Sequence, residues 1–162
     1  MIHYVIVFLI SMVPLVEIRG AIPYALTQIN LGADISFFWC CVAAILGNMV
    51  PVPIIFFFAR KVLEWGADKK FIGKFFTWCL EKGHKGGAAL EQKAGKGLYW
   101  ALFLFIGIPL PGTGAWTGTL AASILDMDFK KSTLAAIGGV LLAGVIVGLI
   151  CTGVLGALSF MI

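Results

Sequence analysis

The stretch PLVEIRGAIP, Pro14 to Pro23, sets Glu17 and Arg19 between two proline-flanked hydrophobic runs. No Asp, Glu, Lys or Arg precedes Glu17. Two charges in such a place belong either to a loop between short helices or to a break inside a membrane, and the lengths on each side discriminate. At the rise of an α-helix, Met1 to Val16 would reach about 24 Å and Gly20 to Ala33 about 21 Å. A hydrocarbon core is about 30 Å thick, so neither run spans it comfortably. The pattern predicts a re-entrant hairpin over residues 1–33, broken at Pro14, Gly20 and Pro23.

The rest of the chain supports a membrane setting. Hydrophobic residues make up 60% of the 162 residues and charged residues 12%, with a mean hydropathy of +1.01. Soluble chains average about 45 to 50% apolar and about 25% charged. The fold class predicted is an all-α integral membrane protein of one domain. A first repeat, 1–59, holds the hairpin and a membrane-crossing helix over 35–59. A basic connector, 60–97, follows. A second repeat, 98–162, holds another broken hairpin over 98–125 and a crossing helix over 132–162.

That second hairpin rests on GIPLPGTGAWTG, Gly107 to Gly118, where Pro109, Pro111, Gly112 and Gly114 break any helix. In both halves Pro-Leu stands at a break, a short arm follows, then an acidic turn (Asp34, or Asp126 with Asp128), then a long apolar run. Between Arg60 and Lys96 there are nine basic residues against four acidic ones. Positive charge marks the cytoplasmic side, so the connector and Lys130–Lys131 are expected inside, with both termini outside. The first hairpin would then open from outside and the second from the cytoplasm, an inverted repeat of the kind secondary transporters use. Short full spans would give the same sidedness; arm length favours re-entry.

The excess of four positive charges sits in the connector, which points to anionic lipid and away from nucleic acid. There, Phe71, Ile72, Phe75, Phe76 and Cys79 recur at helical spacing beside lysines, as in an interfacial helix. The start of the chain has neither a basic leader nor a small-residue cleavage site, and is read as part of the fold. His3 and His84 stand apart, and no metal-ligand spacing or hydrolase motif appears, so no enzyme, metal or cofactor is expected.

Ionisable residues inside a bilayer cost about 2.5 to 3.5 kcal/mol each on insertion scales and normally line a polar cavity or find partners. Glu17 is therefore the candidate to take and release a proton, with Arg19 drawing an anionic group or holding the Glu17 charge. The plain alternative is a structural ion pair tying the hairpin tips together, made easier if VEIRG is unwound. At the second tip, Thr113, Thr117, Thr119 and the indole of Trp116 gather around flexible backbone. The free amides that begin the Ala115 arm could face Glu17 or an anionic substrate. Asn48, just before Pro51, is a polar side chain in the third run and could complete the centre or bond across a kink. Gly144, Gly148, Thr152 and Gly156, with Ala135, Gly139 and Ala143 beside them, form a small-residue stripe, either a dimer seam or a seat for the first hairpin.

PLVEIRGAIPYAL, LGNMVPVPIIF and IPLPGTGAWTGTLAA together resemble the family of small multi-drug export proteins, prokaryotic membrane proteins of similar size. The family looks distantly related to the DedA group, also called the VTT or SNARE-associated group. That resemblance implies re-entrant hairpins in an inverted repeat, a prokaryotic inner membrane, and links to lipid movement and the proton-motive force. Its pattern has an acidic residue at the first break, matched by Glu17, and an Arg after Pro-Gly at the second, where Thr113 stands instead.

The expectation is thus a proton-coupled secondary transporter of a small molecule, ion or lipid, completed as a homodimer. A flippase or scramblase of an anionic lipid such as polyprenyl phosphate, and a non-transporting structural membrane protein, are the alternatives.

Overall fold

A computed structural model describes residues 1–14, 16–67, 96–110 and 113–159. The expected interfacial helix of the connector, and Pro111 and Gly112 of the second break, lie outside the described residues. Those residues form helices: α1 (Ile2–Met12), α2 (Glu17–Asn30), α3 (Phe37–Met49), α4 (Pro51–Ala67), α5 (Lys96–Gly107), α6 (Ala115–Ile124) and α7 (Phe129–Ser159).

Two helices are long and apolar enough to cross a membrane, Phe37–Ala59 and Phe129–Gly153. The first joins α3 to α4, because Val50 keeps right-handed helical angles (φ −59°, ψ −45°) although Pro51 and Pro53 follow. Neither proline has an N–H, so the carbonyls of Gly47 and Met49 lose their usual donors. Only a third of each spanning segment is buried. The exposed remainder is strongly apolar, with Phe38, Trp39, Ile54, Phe58, Leu134 and Leu149 each more than half exposed. Contiguous apolar surface on this scale suits lipid and not water.

The other helices are short. By their residue counts α1, α2, α5 and α6 reach only about 15 to 21 Å, well under the hydrocarbon thickness. α4 runs to Ala67, eight residues past the expected end of the span, and α7 starts at Phe129 rather than 132. Asp128 explains that start, since its Oδ1 accepts the Lys131 N–H at 2.9 Å as an N-cap.

One expectation is corrected. Gly20 and Pro23 do not break a helix: both lie inside α2, which starts at Glu17, so Ile18 to Gly20 are helical and the first break ends at Val16. α2 absorbs Pro23 because Ala21, Ile22 and Ala25 are buried on either side of it. Gly20 is small for a different reason: a Cβ there would strike the Val16 side chain, where the break folds over the new helix.

Packing repeats between the halves. α1 lies on α3, where Ser11 Oγ donates to the Ala44 carbonyl at 2.6 Å and Gly47 meets the Phe8 carbonyl. α5 lies on α7, with Gly138 and Gly139 against Phe103 and Ile106. Each returning helix packs on the long helix of the opposite half: α2 on α7 through Ile18 at Gly144, and α6 on α4, where Ser123 Oγ donates to the Phe56 carbonyl at 2.7 Å. Gly144 of the small-residue stripe thus seats Ile18 of α2. The ends of α2 and α6 match too. Ala33 N–H reaches back to the Gln28 carbonyl and Met127 N–H to the Ala122 carbonyl, both at 3.0 Å, across a left-handed Gly32 (φ +88°) and Asp126 (φ +55°). Both are Schellman-type caps.

Candidate functional site

The described residues of the two breaks, 13, 14 and 16 on one side and 108–110, 113 and 114 on the other, come together. Glu17 is the first residue of α2, held in a left-handed backbone conformation (φ +49°) that is uncommon for a residue with a Cβ. Only 3% of it is exposed. Its carboxylate lies across the start of α6: Ala115 N–H donates to Oε2 at 3.3 Å and Trp116 N–H to Oε1 at 3.0 Å. These amides belong to the first helical turn, which has no carbonyls of its own to bond. A negative group there also meets the positive end of the helix dipole, an effect of about 0.3 to 1 kcal/mol and up to about 2 where partly buried.

Gly114 makes this approach possible. Its backbone (φ +146°, ψ −173°) suits glycine, and a Cβ would collide with the Glu17 carboxylate. Sequence and contact agree on why glycine precedes Ala115: the carboxylate needs the space.

Arg19 reaches the same tip from the next positions of α2. Its Nη1 donates to the Leu110 carbonyl and its Nη2 to Thr113 Oγ1 at 2.9 Å. Thr113 is oriented by the carbonyls of Ile108 and Leu110, each 2.9 Å from its hydroxyl. The indole N–H of Trp116 donates to the Met12 carbonyl at 3.1 Å, satisfying an acceptor that the end of α1 leaves free. Glu17 and Arg19 are therefore held by the opposite half. Arg19 Nε is buried with no hydrogen-bond partner.

A cavity of about 410 Å³ adjoins this contact. Glu17, Pro14, Thr113, Trp116 and Thr117 form its tip end, and Ile55, Phe58, Ala59 and Val62 line it from one face of α4, with Leu120 from α6. It is a mostly apolar slot with a carboxylate, two hydroxyls and an indole at one end. That combination of apolar walls and few placed polar groups is typical of small-molecule sites.

Of the residues singled out in the sequence, the structure gathers Glu17, Arg19, Thr113 and Trp116 in one hydrogen-bonded contact, with Thr117 beside them in the cavity wall. Asn48 is not among the cavity's lining residues. It is 1% exposed at the end of α3, and neither of its amide atoms has a partner. Pro14, Pro109 and Gly114 lie in the breaks themselves. Sequence reading missed the carbonyls of Met12 and Leu110, which no side-chain motif reveals. It also missed the α4 wall, although Ile55, Phe58, Ala59 and Val62 recur at helical spacing. Thr119, grouped with the second tip from the sequence, is 3% exposed with an unpartnered hydroxyl and does not line the cavity.

These features define an all-helical membrane protein with two apolar helices of spanning length, flanked by broken short helices that meet over a buried carboxylate and a guanidinium. More particularly, the chain belongs to the family described as "Putative small multi-drug export protein", whose model matches residues 17–146. The match begins at Glu17, immediately after the first break, and takes in the second. The family's description indicates a transporter-like role. No curated protein and no solved structure matches the chain.

Proposed function

We propose that this protein is a small secondary transporter of a prokaryotic plasma membrane, not an enzyme, and that it couples transport to protons through Glu17. Two re-entrant hairpins, 1–33 and 98–125, enter from opposite sides as an inverted repeat and meet tip to tip. The connector is cytoplasmic and the termini are outside. The crossed packing of α2 and α6 and the matching caps that end them support the repeat. The lysine-rich connector supports the sidedness.

The observation that carries the reading is the double role of Glu17, which holds the α6 amides and also faces the cavity. Ionised, its two oxygens accept both N–H groups. Protonation turns one oxygen into an O–H and removes the charge that the helix end favours, so the contact between tips weakens. Parting of the tips would open the slot between α4 and α6, whose Ile55, Phe58 and Val62 walls suit the apolar body of a small amphiphile. Protonation of Glu17 thus controls the entry of a substrate to the slot.

The test is flux in proteoliposomes under an imposed pH gradient, with ethidium as the probe and trapped pyranine reporting protons. Coupled flux should vanish in Glu17→Gln while helical content and folding persist. Unchanged flux in that variant would refute the coupling role.

One observation favours a second reading, movement of an anionic lipid. The partners of the Arg19 guanidinium are neutral, a carbonyl and a hydroxyl, leaving its charge available to a phosphate. If so, Arg19→Met should stop transbilayer movement of labelled phosphatidylglycerol and leave ethidium flux intact. The opposite outcome favours the small-molecule transporter.

A further inference from the structure

A second groove of about 410 Å³ lies between α5 and α7 and shares no lining residue with the tip cavity. Tyr99, Trp100 and Phe103 form one wall, and Lys131, Leu134 and Ala135 the other. Trp100 and Leu134 are 63% and 70% exposed, so the groove opens on the outer face of the bundle. Lys131 Nζ stands 5.5 Å from the centre of the Tyr99 ring, at the mouth. The groove begins at the charged first turn of α7, at one end of the apolar span Phe129–Gly153, and runs inward past Phe103 and Leu134. Tyrosine and tryptophan beside a lysine at the end of a span mark headgroup depth.

We infer that this groove seats one anionic phospholipid, with its phosphate at Lys131 and an acyl chain between Phe103 and Leu134. Three features of the site select that occupant. An apolar slot ending in a cation matches an acyl chain ending in an anion. A choline headgroup is disfavoured, because Lys131 already occupies the Tyr99 face that a quaternary ammonium would seek. Lys130 adjoins on the same turn and adds to the positive field. This inference is independent of whether the protein transports anything.

The test uses the full chain, delipidated in detergent and titrated with phosphatidylglycerol or phosphatidylcholine, with bound lipid counted by native mass spectrometry. A lysine near an anionic headgroup predicts about a fivefold preference for phosphatidylglycerol. Lys131→Gln should bring that preference below about twofold, while Lys131→Arg keeps it. Lys61→Gln, which removes an exposed lysine from α4, should also keep it. Equal losses in Lys131→Gln and Lys61→Gln would overturn the assignment, since bulk charge would then carry the preference, as would equal retention of the two lipids. Phosphatidylglycerol with brominated chains should also quench Trp100, isolated as the difference from Trp100→Phe; an unquenched Trp100 would overturn the placement of the chain.

Discussion

Gly114→Ala separates a spatial requirement at the tip contact from a backbone one. The backbone at Gly114 (φ +146°, ψ −173°) is in a region that side chains rarely adopt, which costs about 1 to 3 kcal/mol for alanine. The added Cβ also collides with the Glu17 carboxylate and must displace it. Losing at least one of the two bonds to the α6 amides costs about 1.5 to 3 kcal/mol, because the acceptor is charged. The sum is about 3 to 6 kcal/mol of stability. Gly32 supplies the control: it too has a positive φ, +88°, but a Cβ there meets nothing within 4 Å. Gly32→Ala should therefore cost only about 1 to 2 kcal/mol. Unfolding in mixed micelles, followed by circular dichroism, would compare the two. In a Glu17→Ala background the collision disappears, so Gly114→Ala should be milder there by about 1.5 to 3 kcal/mol, a coupling that a double-mutant cycle reads directly. Additive costs in that cycle, or a Gly114→Ala loss no larger than that of Gly32→Ala, would refute the proposed contact.

Three further substitutions probe neighbouring bonds. Trp116→Phe keeps the ring but frees the Met12 carbonyl, and should lower stability by about 1 kcal/mol in the same unfolding experiment. Arg19→Lys cannot hold the Leu110 carbonyl and Thr113 Oγ1 as a planar fork does; a loss of about 1 to 2 kcal/mol is expected, with accelerated proteolysis at the second break as an independent readout. Gly47→Ala pushes a Cβ into the Phe8 carbonyl and should separate α1 from α3, at a cost of about 1 to 3 kcal/mol; a thermal midpoint equal to that of the parent chain would contradict that packing.

The two spanning segments were legible because length and hydrophobicity alone specify them, and the short arms because proline and glycine punctuate them. Break boundaries were less legible. Pro23 reads as a helix breaker in isolation, yet it sits inside α2, where burial of Ala21, Ile22 and Ala25 outweighs a missing hydrogen bond. Gly20 and Gly114 look alike in the sequence but differ in cause. Gly20 makes room for Val16 within a regular helix, whereas Gly114 combines an unusual backbone with room for a carboxylate from the other half. The Gly114 requirement comes from a partner about a hundred residues away, which local pattern does not encode. Charge alone marked Glu17 and Arg19 as belonging to a centre, and their i and i+2 spacing argues against mutual pairing on a regular helix, but the backbone groups they bond instead leave no side-chain signature in the sequence.

The partners actually used explain why two opposite charges are placed two residues apart on one helix. On a regular helix, side chains at i and i+2 point to different sides. Starting α2 at Glu17 therefore aims the carboxylate at the α6 amides and leaves Arg19 to reach Leu110 and Thr113, so that one short turn grips the second tip at two points. Were the charges to neutralise each other instead, the free amides of α6 and the carbonyl of Leu110 would lose those partners, the amides at a point where Glu17 is only 3% exposed. The arrangement also makes the grip sensitive to charge on one side only: a guanidinium does not lose its proton in proteins, whereas a carboxylate can be protonated. Any event that protonates Glu17 would thus release one of the two grips and leave the other in place. Movement would then pivot about Arg19 rather than separate the halves altogether.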